Sequence, residues 1–283
     1  MNYTSKGLYR YAGGKNKRKE ELISLIREIK PNITTMMSPF FGGGSVEIMM
    51  ASQGVKVRAY DLYQPLADFW EIVTTEGGKR IADAVREHIP LKDREHYKSF
   101  LPLMDSDDKF TRAWSFYICI KGAFSGDIGH TSELSRQNLS PAGLQKLVGF
   151  YNPNLTFTYG DCFEKIPEHR DDFLFLDPPY FATTGFYYGK DGSTHEGFDH
   201  QKLAELLREH RGGFVMTYDN SDYLKELYHD FTEFRYMEFD YQMAGDANRR
   251  GKKIELILIK RPDVVTDEKC HTTTCNPLVD VLY

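Results

Sequence analysis

An α/β fold on a mixed, mainly parallel sheet is what three stretches of this 283-residue chain predict. Phe173-Leu174-Phe175-Leu176 is a run of four apolar residues ahead of Asp177 and two prolines, the character of a central strand buried on both faces. Ile33 to Phe41 reads as a short strand, followed by Gly42-Gly43-Gly44-Ser45 and a helix from Val46 to Ser52. Strand, glycine turn and helix is how a doubly wound, Rossmann-like sheet brings bare backbone against a cofactor. Val55 to Tyr60 then forms a second strand ending at Asp61, nineteen residues after Gly42. A carboxylate there is placed to accept both hydroxyls of a ribose, so Gly42, Gly44 and Asp61 point to an adenosine-bearing cofactor.

The chain opens with Tyr9-Arg10-Tyr11-Ala12-Gly13-Gly14-Lys15 and a charged helix from about Lys17 to Ile29. Gly-Gly-Lys before a helix can set backbone donors and an ammonium near an anionic group, or it is a plain basic turn. The spacing and Lys-Ser/Thr pair of a P-loop are missing. After Leu62 the pattern is mostly helical, with helices over Pro65–Thr74, Gly78–His88, Asp93–Met104 and Thr111–Ile120. A glycine-rich loop from Lys121 runs through His130 to Arg136, and Ser140-Pro141 opens another helix by capping chemistry. An insertion of this length is a lid or a recognition domain, and its loop either follows a nucleic-acid backbone or is a solvated connector.

The sheet resumes at Leu155 to Tyr159, where Asp161 either touches a cofactor's adenine or caps a helix. After the 173–176 strand, an aromatic segment from Phe181 to Phe198 is a base-gripping flap or a packed Ω-loop. A core-facing helix spans Asp199 to His210, a strand Gly213 to Thr217, and a further helix reaches about Tyr228. Arg249-Arg250-Gly251-Lys252-Lys253 precedes a terminal strand from Ile254 to Ile259, and these four cations are the best phosphate-binding run in the chain. The tail from 263 to 283 reads as irregular. Its Cys270, His271 and Cys275 lack the second cluster a zinc site needs, so no metal is expected.

Hydrophobic residues make up 41% and charged residues 27%, which excludes a disordered chain. No apolar run approaches transmembrane length and the amino terminus lacks a signal core, so an intracellular protein without membrane contact is expected, in cytoplasm or nucleoid. Four scattered cysteines are read as reduced. A net charge of -5 confines any nucleic-acid surface to a local basic patch. No obligate protein partner is evident, and a monomer is compatible.

Asp177-Pro178-Pro179-Tyr180 suits methylation of an amine conjugated to an aromatic ring. The lone pair of such a nitrogen is delocalised. A carboxylate and a carbonyl of the Pro178-Pro179 segment can accept its two hydrogens and aim the lone pair at a methyl donor. Tyr180 offers a face for a planar base. An ordinary Pro-Pro turn is the alternative.

These pieces, from Tyr9 to about Lys260, resemble the Dam-like (class alpha) DNA adenine N6-methyltransferases. Tyr11-Ala12-Gly13-Gly14-Lys15 is similar to the family's amino-terminal cofactor motif, and Pro39-Phe40-Phe41-Gly42-Gly43-Gly44-Ser45 to its glycine motif. Asp177-Pro178-Pro179-Tyr180 matches the catalytic tetrapeptide in full. The resemblance implies an S-adenosyl-L-methionine-dependent Rossmann-like sheet from residues 1–61 and 151–262, with a helical target-recognition insertion at 62–150. It implies site-specific methylation of adenine N6 in double-stranded DNA by base flipping, as in restriction–modification. Cofactor contacts then fall to Tyr11, Lys15, Phe41, Gly42, Gly44, Ser45, Asp61 and Asp177. Catalysis falls to Asp177, Pro178, Pro179 and Tyr180, and DNA contacts to Lys121, Arg136, Arg249, Arg250, Lys252 and Lys253. Cytosine N4, RNA or a glutamine amide are alternative amines, and a catalytically silent DNA-binding protein is the alternative from another class. Family members often carry an acid where this chain has Ser38, and the Lys121–His130 loop departs from that of GATC-reading members.

Overall fold

The computed structural model describes residues 3–123, 126, 128, 139–181, 197–242 and 250–263, with side chains given outside 239–242 and 250–253. Its strands are β1 Thr35–Ser38, β2 Lys56–Asp61, β3 Leu155–Tyr159, β4 Phe173–Leu176, β5 Phe214–Asp219, β6 Glu233–Gln242 and β7 Arg250–Lys260. They form one seven-stranded sheet in the order β3-β2-β1-β4-β5-β7-β6. β1 to β5 pair in parallel, and β7 is inserted antiparallel between β5 and β6. The mixed, mainly parallel Rossmann-like sheet read from the sequence is therefore the observed fold.

The helices are α1 Lys19–Ile29, α2 Ser45–Ser52, α3 Gln64–Thr75, α4 Lys79–Arg86, α5 Arg94–Lys98, α6 Lys109–Gly122, α7 Pro141–Val148, α8 Cys162–Glu168, α9 His200–Glu209 and α10 Asp222–Tyr228. β4 shows why both sheet faces need covering. Phe173 and Phe175 enter one buried cluster, while Leu174 and Leu176 enter the other, as the two-residue period of a strand requires. The second cluster gathers residues of α8, α9 and α10. The first includes the rings of the 62–150 segment. Trp70 meets Phe41 edge-on at 5.0 Å and Phe150 at 5.4 Å, and Phe69 lies parallel to Tyr117 at 5.4 Å. Helices α3 to α7 thus share the hydrophobic core of one sheet face.

Two differences from the sequence reading have local causes, and one alternative it left open is settled at Asp161. The helix expected over Asp93–Met104 is α5 followed by a 3-10 turn, Leu101–Asp105, because Pro102 lacks the amide a continuous helix would use. Arg250, Lys252 and Lys253, expected ahead of the last strand, lie within it, since β6 extends the ladder to Gln242↔Arg250. Asp161 caps α8, its Oδ1 accepting from the Phe163 amide at 2.9 Å. No helix among the described residues is long and apolar enough to cross a membrane.

Candidate active site

The chain passes from β1 to β2 on one side of the sheet and from β4 to β5 on the other, so the switch point where such sheets hold ligands falls at the carboxyl ends of β1 and β4. The glycine turn after β1 forms one wall. Gly44 has φ of +62°, and a Cβ there would lie 2.2 Å from the Phe41 ring. At Gly42, φ is +50° and a Cβ would lie 3.0 Å from the ring of Tyr11, so backbone and aromatic ring meet directly. The turn is tied down from two sides. Tyr9 donates its hydroxyl to the Gly42 carbonyl at 3.1 Å while accepting from the Trp70 indole at 2.5 Å. Asp61, at the end of β2, accepts the Gly42 amide at 2.9 Å on Oδ2 and the Tyr63 amide at 3.0 Å on Oδ1. Burial raises the Asp61 pKa, and those amides oppose the rise.

Asp177 follows β4 directly and its side chain is 22% exposed. Lys15, 4% exposed, bridges its two oxygens at 2.7 and 2.9 Å and also donates to the Gly13 carbonyl at 2.8 Å. Thr217 of β5 donates to Asp177 Oδ1 at 2.6 Å. A carboxylate has about four lone-pair sites. Thr217 and Lys15 fill those of Oδ1, whereas among the described residues Oδ2 meets Lys15 alone and keeps a site for another donor. Tyr180 donates its hydroxyl to Glu255 Oε2 at 2.7 Å, and its ring lies nearly parallel to that of Tyr218. The Lys15 ammonium sits 5.0 Å from the Tyr180 ring centroid and 3.9 Å from Glu255. Asp219, paired with Glu255 across β5 and β7, accepts the Phe181 amide at 2.7 Å and so anchors the chain just past the tetrapeptide.

Glu255 points into this cluster from β7 and is 2% exposed. Burial first, and the charge of Asp177, push its pKa up to about 7, with Lys15 and the Tyr180 hydroxyl opposing. A rise from 4.5 to about 7 corresponds to about 3 kcal/mol. For an acid raised on folding, that stability is present below the unfolded pKa and is lost as pH climbs through the folded one. Glu255→Gln should therefore flatten the fall in stability between about pH 4.5 and 7. Urea unfolding across that range checks it, and equal slopes for wild type and variant would reject it.

Comparison with known proteins decides the family. A model of the D12 class N6 adenine-specific DNA methyltransferases matches residues 11–244. The chain belongs to that family. The modification methylase StsI of Streptococcus sanguinis is 27% identical over 297 residues, covering 93% of this chain and 44% of the relative, so the chain spans under half of that protein's length. Among solved structures, a SAM-dependent methyltransferase from Agrobacterium tumefaciens aligns at 13% identity and a TM-score of 0.40, covering 88% of this chain and 62% of the other. A precorrin-6y C5,15-methyltransferase from Geobacter metallireducens aligns at 12% identity and 0.38, covering 92% and 98%.

Asp177-Pro178-Pro179-Tyr180 and the amino-terminal Tyr11-Ala12-Gly13-Gly14-Lys15 stretch are brought into contact by the fold, through Lys15 and Asp177. Phe41 is buried against Trp70 and Phe157, Ser45 begins α2, Pro178 is buried and Pro179 half-buried. Lys121 ends α6 half-buried, its pKa lowered by burial and then by nearby Lys146 and Arg10. Arg250, Lys252 and Lys253 lie in β7, where their side chains are not described, and Arg136, Arg249, most of the Phe181–Phe198 flap and the tail with Cys270, His271 and Cys275 lie outside the described residues. Sequence reasoning missed Thr217, Glu255 and Glu47. Each had a signal: a lone polar residue inside an apolar strand or helix, as in Ile254-Glu255-Leu256 and Val46-Glu47-Ile48.

Proposed function

We propose that this chain transfers a methyl group from S-adenosyl-L-methionine to adenine N6 in double-stranded DNA, at a specific site, acting on a base turned out of the duplex. Family membership supports the reaction class. The observation that carries the mechanism is the acceptor site left on Asp177 Oδ2 beside a fixed Tyr180. The donor, when bound, supplies a sulfonium-activated methyl group. Asp177 Oδ2 accepts one N6 hydrogen, and a carbonyl of the Pro178-Pro179 segment accepts the other. Lys15 and Thr217 hold the carboxylate in place, and Glu255 and Tyr218 fix the ring on which the base stacks. These groups orient the amine and pre-arrange charge, which is most of what such a transfer needs.

The glycine turn fits the donor because its bare backbone lies against Tyr11 and any added Cβ would close that approach. Asp61 is assigned to the ribose hydroxyls while it holds the Gly42 amide. Residues 62–150 are assigned to target reading, and Lys121 with Arg10 and Lys146 to phosphates; the β7 cations Arg250, Lys252 and Lys253 are assigned likewise. A DNA substrate would place the protein inside the cell. Mass spectrometry of nucleosides from duplex DNA incubated with protein and donor tests the reaction. N6-methyladenine is expected, whereas N4-methylcytosine or no modified base would overturn it. Asp61→Ala should weaken donor binding roughly ten- to a hundredfold by removing charge-assisted hydrogen bonds. Unchanged calorimetric affinity in the folded variant would rule out the ribose role.

A further inference from the structure

Glu47 is a buried carboxylate that the mechanism above does not use. It lies in the first turn of α2 and is 3% exposed. Ser38, fully buried at the end of β1, donates its hydroxyl to Glu47 Oε1 at 2.8 Å. The acid is thereby held at the carboxyl end of β1, next to β4, which leads into Asp177. Asp177 and Glu255 share the ammonium of Lys15. Among the described residues no lysine or arginine pairs with Glu47. Burial, resisted by the amides of its own helical turn and by Ser38, and the charge of Asp177 push its pKa up to about 7. A carboxylate in such a place is comfortable as an anion only when a cation joins it.

The donor read above carries two cations, the sulfonium and the α-ammonium of its amino-acid end. On that reading Asp177 faces the transfer point, so the sulfonium lies on the β4 side. The carboxylate at the end of β1 is left for the other cation. We propose that Glu47 is the counter-ion for the α-ammonium of S-adenosylmethionine, an assignment that rests on the donor identified above. The hydrogen bond to Ser38 brings a carboxylate of α2 to the end of β1 from nine residues on.

Three ligands separate the charges. S-Adenosylmethionine has both cations, S-adenosylhomocysteine keeps the ammonium alone, and 5′-methylthioadenosine has neither. Calorimetry with Glu47→Gln should show S-adenosylhomocysteine and S-adenosylmethionine each weakened roughly ten- to a hundredfold, with 5′-methylthioadenosine unchanged. The double variant Ser38→Glu/Glu47→Ser should return S-adenosylhomocysteine affinity towards wild type. Unchanged affinity for S-adenosylhomocysteine in Glu47→Gln overturns the assignment, and so does an equal loss for 5′-methylthioadenosine. Loss confined to S-adenosylmethionine would place Glu47 at the sulfonium and also overturn it. A wild-type protein that binds none of the three rejects the donor itself, a distinguishable result.

Discussion

Asp177→Ala is expected to lower methyl transfer by about 10²- to 10⁴-fold while leaving the fold and DNA binding largely intact. The variant removes one of the two acceptors proposed for the amine, and with it the charge that complements a nitrogen becoming positive. Structural damage should be limited, for two reasons visible in the site. Asp177 lies past the last residue of β4, so no strand packing depends on its side chain. Lys15, relieved of Asp177, still has the Gly13 carbonyl at 2.8 Å and Glu255 at 3.9 Å. Asp177→Asn separates charge from shape, because an amide keeps one acceptor oxygen but no negative charge. It should fall between wild type and the alanine variant. Single-turnover rates on duplex oligonucleotides, read beside urea denaturation of the same preparations, give the answer. Full activity of Asp177→Ala would sink the mechanism.

The parts of this site that could be read in the sequence are those whose chemistry is local. Phe173 to Leu176 announce a strand buried on both faces, and two prolines force its end, so the place of Asp177 in the sheet follows from eight residues. The glycine turn and Asp61 are legible for the same reason: special backbone needs special residues at fixed spacing. What joins these pieces is not local. Lys15 meets Asp177 across 162 positions, and Tyr180 meets Glu255 across 75. Glu255 arrives on β7, whose antiparallel insertion next to β5 is fixed by sheet pairing rather than by any short pattern. β6 itself escaped detection because, among the described residues, it pairs on one side alone, at the sheet edge, and mixes Glu233, Arg235 and Glu238 with its apolar residues. Such a strand lacks the continuous apolar run that marks β4.

Lys15→Met should have the second-largest effect, and its sign with pH is the informative part. Methionine keeps an unbranched side chain of similar reach but leaves Asp177 and Glu255 without the cation they share. Removing one partner of a buried pair typically costs 3–5 kcal/mol; with Asp177 partly open to water, about 3 kcal/mol is expected here at neutral pH. The raised pKa of Glu255, about 7 with Lys15 in place, should move higher still without it. For an acid raised on folding, stability is present below its unfolded pKa, about 4.5, and drains away as pH climbs through the folded value. The deficit of Lys15→Met relative to wild type should therefore be largest near pH 8 and shrink towards pH 5, where Glu255 is protonated. Adding Glu255→Gln to Lys15→Met removes one of the two stranded charges and should recover part of the loss at pH 8 and little at pH 5. Urea unfolding of the four proteins at both pH values forms a double-mutant cycle at each. An equal deficit at pH 5 and pH 8 would mean that Lys15 acts by packing, and the shared-ammonium account of the site would fail.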